Sequence, residues 1–214
     1  MWLGHTKTYK LNLGLFSMDY VLFDVGGVVV NADHERTFKF LQDLEVPRDA
    51  SKNFYNIEEY LRFAQGFVQG IEFGAALNFV MGTNLGNPVI RNAHDMHIYE
   101  VAEGMPDQLE RIPYDQRGFL TDTNPWQDER VDELIRLRDY TSVERIFRSH
   151  EMGMTKADDG CFEKVLGLLD ADGDKVLLVD DSPEKIQMAQ KYGLETILFT
   201  SVAQLEYKLG DYGF

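Results

Sequence analysis

Between Gly118 and Leu209 the chain alternates short apolar segments with amphipathic ones. Gly118–Thr121, Val143–Phe147, Lys175–Asp180 and Thr196–Phe199 have the length and apolar content of strands. Asp128–Arg138, Asp158–Leu169, Pro183–Tyr192 and Val202–Leu209 carry apolar residues at helical spacing. Such alternation builds a parallel sheet, because consecutive parallel strands need a crossover and that crossover is usually a helix. Tyr20-Val-Leu-Phe, ending on Asp24, reads as one more strand, apolar on both faces. Alone it has no partner, so it must join the same sheet. The fold class that follows is α/β, a doubly wound parallel sheet.

The stretch from Asp33 to about Gly104 has a different pattern. His34–Leu44, a short segment opened by Pro47, Ile57–Phe63, Ile71–Val80 and Val89–Val101 all read as helices, separated by Gly- and Asn-containing turns, with no good strand among them. The expected organisation is therefore an α/β core of residues 18–32 and 105–214, interrupted by a helical block of residues 33–104. Residues 1–17, slightly basic and lacking a long apolar stretch, read as an N-terminal extension.

Composition narrows the function. With 21 Lys plus Arg against 36 Asp plus Glu, the formal net charge is −15, which argues against nucleic acid or an anionic membrane as the main partner. A single cysteine, Cys161, excludes an intrachain disulfide and suits a reducing compartment, so a cytoplasmic location is expected. No apolar run is long enough to span a bilayer.

In open parallel sheets ligands bind beyond the carboxyl ends of the strands. Four expected strand ends carry polar chemistry here: Asp24, Thr121, Lys156 in the loop after Ile146-Phe-Arg-Ser149, and the pair Asp180-Asp181. Each has a plain alternative. Asp24 or Thr121 could cap a turn, Lys156 could be a solvated charge, and Asp181-Ser182-Pro183 has the look of a helix start. It is the ordered set, placed at one sheet edge, that points to a site. Gly26 and Gly27 follow Asp24 and free the backbone there to turn or to approach a ligand closely.

Those segments resemble the haloacid dehalogenase-like (HAD) hydrolase superfamily, in its branch with a helical cap inserted after the first strand. Phe23-Asp24-Val-Gly-Gly-Val28 resembles the first motif and Leu120-Thr121-Asp-Thr-Asn124 the second. Gly153-Met-Thr-Lys156 resembles the third, with Ala157 where Pro is common, and Val179-Asp180-Asp181-Ser-Pro the fourth. Within the superfamily the chain is most similar to the sugar-phosphatase-like and epoxide-hydrolase N-domain-like branch.

The resemblance implies a Rossmann-like core with a cap over it, and a Mg²⁺-dependent phosphatase acting on a small phosphorylated metabolite. Asp24 would be the nucleophile, with Thr121 and Lys156 beside it at the phosphoryl group. Mg²⁺ would be held by Asp24, Asp180 or Asp181, and the backbone carbonyl of Gly26. Gly26, Gly27, Asp122, Thr123 and Asn124 would line the phosphate subsite.

One position departs from that pattern. Many phosphatases of the superfamily carry a second Asp two residues after the nucleophile, which protonates the leaving group; here the residue is Gly26. Asp33 and His34 are candidates for a borrowed acid, and so is Asp122, where the family often has Asn. His94 and His97 lie three apart on an expected helix, without an evident third metal ligand, and read as solvated or packing residues. Two other classes stay open. One is a non-catalytic relative that binds a phospho-ligand or a partner. The other is a haloacid dehalogenase-type hydrolase, weakened by the Asp180-Asp181 pair and by Gly26 where dehalogenases have an aromatic residue.

Overall fold

The computed structural model describes residues 17–214, so the expected extension, up to Phe16, lies outside the described residues. The described chain opens with β1 (Tyr20–Phe23) and β2 (Val30–Ala32). Five helices follow: α1 (His34–Asp43), α2 (Arg48–Ser51), α3 (Glu58–Ala64), α4 (Gly70–Met81) and α5 (Asn87–Asp95). Then come β3 (Ile98–Val101), α6 (Met105–Arg111), β4 (Arg117–Thr121), α7 (Pro125–Leu134), β5 (Ile146–Arg148) and α8 (Ser149–Met152). The chain closes with α9 (Cys161–Leu169), β6 (Val176–Asp180), α10 (Pro183–Lys191), β7 (Glu195–Leu198) and α11 (Val202–Asp211).

β1 is the centre of a five-stranded, all-parallel sheet in the order β5-β4-β1-β6-β7. The α/β parallel architecture matches the sequence reading, and so do the neighbours of β1, the strands that end at Thr121 and Asp180. Alternate side chains of β1 serve opposite faces. Val21 and Phe23 pack with Phe119, Leu177 and Val179, whereas Leu22 packs with Leu120, Leu178 and Phe162. Val21, Leu22 and Phe23 are fully buried, which explains why the strand reads as a continuous apolar run.

The helices α1 to α5 have an apolar centre of their own, built on Leu41, Phe54, Phe63, Phe73, Leu77 and Ile90. Trp126, from the first turn of α7 in the core, packs against this cluster edge-on to Phe63 and Phe73. Further ties cross between the two parts: Gln65 Nε2 donates to Asp158 Oδ2 (2.8 Å) and Ser149 Oγ to the Ala64 carbonyl (2.6 Å).

One expectation is corrected. Val89–Val101 is not one helix: α5 ends at Asp95, and Ile98–Val101 forms β3, antiparallel to β2, with Val30 opposite Val101 and Asn31 opposite Glu100. The helical block thus joins the core through a two-stranded ribbon. Ile98, Tyr99 and Val101 favour strands, but what decides their conformation is pairing with a segment some seventy residues earlier. No local periodicity reveals such a partner.

Candidate active site

Asp24 lies just beyond β1, beside the ends of β4 and β6. Lys156 Nζ is 2.8 Å from Asp24 Oδ2 and 2.5 Å from Asp180 Oδ2, and this lysine is only 1% exposed. Burial pulls the ammonium down, but Asp24 and Asp180 outweigh it and hold the group above its ordinary value. Asp180 is fully buried and its other oxygen accepts from the Ser182 N–H at 2.9 Å. Asp181 turns its carboxylate over Gly27. A Cβ on Gly27, where φ is +81°, would stand 2.2 Å from Asp181 Oδ2, so only glycine lets the two segments approach this closely. Gly26 is different: its φ is not in the left-handed region and a Cβ there meets nothing within 4 Å.

Oxygens of Asp24, Asp180 and Asp181 lie within 4.8 Å of one another. Three carboxylates face a single ammonium, and the group is under-neutralised. Burial raises the Asp24 carboxyl to about 7, with Asp180 adding to the rise against the pull of Lys156. Burial and Asp180 likewise raise Asp181. An all-oxygen cluster with excess negative charge is the donor set that a hard divalent cation such as Mg²⁺ takes, so these residues fit the expected ion.

A cavity of about 420 Å³ opens above this cluster, between the core and the helical block. Gly26, Gly27, Thr121, Asp122, Thr123 and Asp181 line its floor. Asp33, His34, Tyr60, His97 and Ile98 face it from the other side, with Gln127 and Val131 from α7. Asp122 does not stand free against a phosphate: Oδ1 accepts from the Lys156 N–H (2.7 Å) and Oδ2 is paired with Lys185 Nζ. Thr123 is buried, and its N–H donates to Ser149 Oγ at 2.8 Å.

Asn124 calls for a correction. The side chain expected at the phosphate subsite is fully buried and caps α7, with Oδ1 accepting from the Trp126 and Gln127 N–H groups (both 3.1 Å). That leaves its Nδ2 to donate to Gln127 Oε1 (2.9 Å) and His94 Nε2 (3.1 Å). Gln127 Nε2 in turn donates to His97 Nε2 at 2.9 Å, and His97 Nδ1 donates to the His94 carbonyl. The cap of one core helix therefore fixes the tautomers of two histidines in the helical block. Neither histidine is solvated: His94 and His97 are 0% and 2% exposed. Packing, the other half of the expectation for them, is what they do.

Sequence reading also missed Lys185, Gln127 and Tyr60. Lys185 did leave a signal, because it sits in the first turn of α10, where the helix dipole disfavours a cation unless an acid is near. Asp122 is that acid.

The buried histidines set a stability prediction. Burial, with the neighbouring His94 adding, pushes His97 down to about 3 from its ordinary 6.5. The neutral form belongs to the folded state, so the contribution is complete above pH 6.5 and is lost as pH falls from there toward 3. Thermal melts of wild type and His97→Asn, each against pH, should converge on acidification. The difference between them should change by about 1.4 kcal/mol per pH unit within that window.

No family model matches the sequence, and no curated protein matches it. Solved structures do. A HAD family enzyme from Bacteroides thetaiotaomicron, in complex with magnesium and inorganic phosphate, superposes with a TM-score of 0.73 at 22% identity, over 87% of this chain and 96% of that one. The structure of a predicted HAD-like family hydrolase from Porphyromonas gingivalis gives 0.77 at 18% identity, over 90% and 98%. L-2-haloacid dehalogenase from Xanthobacter autotrophicus gives 0.62 at 14% identity, over 90% and 82%. The parallel order around β1 and these superpositions identify the architecture as the Rossmann-like fold of the haloacid dehalogenase-like hydrolases.

Proposed function

We propose that this protein is a Mg²⁺-dependent phosphatase that hydrolyses a small phosphorylated metabolite through an aspartyl-phosphate on Asp24. On this reading residues 18–32 and 105–214 act as the core and residues 33–104 as the cap. The observation that carries it is the cluster of Asp24, Asp180, Asp181 and Lys156 beneath an open cavity. The magnesium and phosphate bound by the Bacteroides enzyme of the same fold support it.

Bound Mg²⁺ would neutralise the carboxylates and polarise a phosphoryl oxygen; Asp24, Asp181, the Gly26 carbonyl and the neighbouring Asp180 would hold it. Asp24 is oriented for attack, since Oδ1 accepts from the Val25 N–H (2.7 Å) and Oδ2 from Lys156. One carboxylate oxygen attacks phosphorus, the leaving-group oxygen departs, and water then cleaves the acyl phosphate to return free Asp24. Lys156 and the Thr121 hydroxyl stabilise charge on the phosphoryl oxygens. Asp122, held by Lys185 and by the Lys156 N–H, is a positioning residue that ties the Lys156 loop to the end of β4. A dehalogenase needs no such acid cluster, which is why the phosphatase reading is preferred.

The test is a screen of phosphate esters with Mg²⁺ and with chelator. Turnover that needs Mg²⁺ is expected, and none on any ester would favour a non-catalytic binding protein. Binding should also appear as stability. At a Mg²⁺ concentration about 100-fold above Kd, the folded state gains about 2.7 kcal/mol. Thermal unfolding should therefore rise with Mg²⁺, and Asp181→Asn should remove most of the rise.

A further inference from the structure

We infer that the cavity selects phosphate monoesters whose leaving group carries no negative charge, an inference that rests on the phosphatase reading. Every side chain that brings a formal charge to its wall is a carboxylate: Asp33, Asp122 and Asp181. Among the described residues no lysine or arginine lines it. The two lysines beneath are already matched, Lys156 with Asp24 and Asp180, and Lys185 with Asp122. With Mg²⁺ bound, the four carboxylates Asp24, Asp122, Asp180 and Asp181 are matched by the two lysines and the ion before any substrate enters, and no spare cation is left for a second anion.

The opposite wall offers none either. His97 is committed through both ring nitrogens, Nδ1 donating to the His94 carbonyl and Nε2 accepting from Gln127. It cannot take a proton without turning an N–H against an amide N–H. His34 is exposed at the cavity rim but stacked on Tyr55 with ring centroids 3.9 Å apart. The water lost on that side and the nearby His94 lower its affinity for a proton, against the smaller opposing pull of Asp33. Val25, Ile98 and Val131 add apolar patches to a lining that is otherwise largely polar. A carboxylate or second phosphate on the leaving group would lose its water there and face carboxylates. An uncharged ring or chain would strand no charge there and could lie against Val25, Ile98 and Val131.

Three aryl esters test this with wild-type protein and Mg²⁺: phenyl phosphate and 4-(carboxymethyl)phenyl phosphate, close in leaving-group basicity, and 4-(aminomethyl)phenyl phosphate, whose rate is compared after allowance for its more acidic phenol. The carboxymethyl ester should have kcat/KM at least about tenfold below the other two, mostly through KM, a discrimination of ordinary size for an unmatched charge. His34→Arg should narrow that gap. Comparable turnover of the carboxymethyl and phenyl esters overturns the inference. So does equal loss for both charged esters, since size and not charge would then be selecting. If no ester is hydrolysed, the phosphatase reading fails on its own. The same three compounds, ranked by how far they raise the melting temperature with Mg²⁺, still decide the charge preference.

Discussion

Asp24→Asn is expected to lower kcat by about 10⁴-fold or more on every ester the protein turns over, the scale on which a covalent nucleophile is lost. The substitution keeps the shape, but its single amide oxygen can accept from the Val25 N–H or from Lys156 and not from both. It removes a negative charge that burial already disfavours, as the Asp24 carboxyl at about 7 records. The variant should therefore fold, with Lys156 still paired with Asp180. Activity within about tenfold of wild type would remove Asp24 from the role of nucleophile, because nucleophile loss costs orders of magnitude more.

Gly26→Asp should act in the other direction. The missing second carboxylate is a loss of acid-base help, which typically contributes about 10²–10⁴ in rate. Gly26 can take a side chain, having an ordinary φ and nothing within 4 Å of a Cβ. Gly27 cannot, and Gly27→Asp should collapse the site against Asp181. Esters of ordinary alcohols, whose leaving oxygen is most basic, should gain about 10² or more in kcat/KM from Gly26→Asp, while aryl phosphates gain little. Wild-type kcat/KM, which reports phosphoryl transfer to Asp24 even when the phosphorylated protein accumulates, should fall steeply with leaving-group pKa. A flat plot would mean that His34, Asp33 or a water already supplies the proton.

Most of the sheet was legible because its central strands, β4, β1 and β6, are buried on both faces and its crossovers are amphipathic, so one chain carries both periodicities. The four strand ends were legible for a related reason: a carboxylate or a lysine closing an apolar run is costly unless something there uses it. Ile98–Val101 was not legible, since its pairing with Val30–Ala32 is long-range. Neither was the fate of Asn124. Its place in a motif suggested ligand binding, while its position before Pro125 equally suited a helix cap, and only the buried contacts to Gln127 and His94 separate the two. The role of Asp122 was hidden likewise, because Lys185 lies on another helix.

The central claim is that Asp24 takes the phosphoryl group, and rapid mixing with an aryl phosphate in Mg²⁺ tests it most directly. Gly26 leaves the second step without a carboxylate to activate water, so the phosphorylated protein should accumulate. The account predicts a burst of phenol approaching one per site and, after acid quench, a phosphoryl adduct on the peptide that carries Asp24. Mg²⁺-dependent turnover with an adduct on a different residue, or with no adduct while the burst is present, would contradict it.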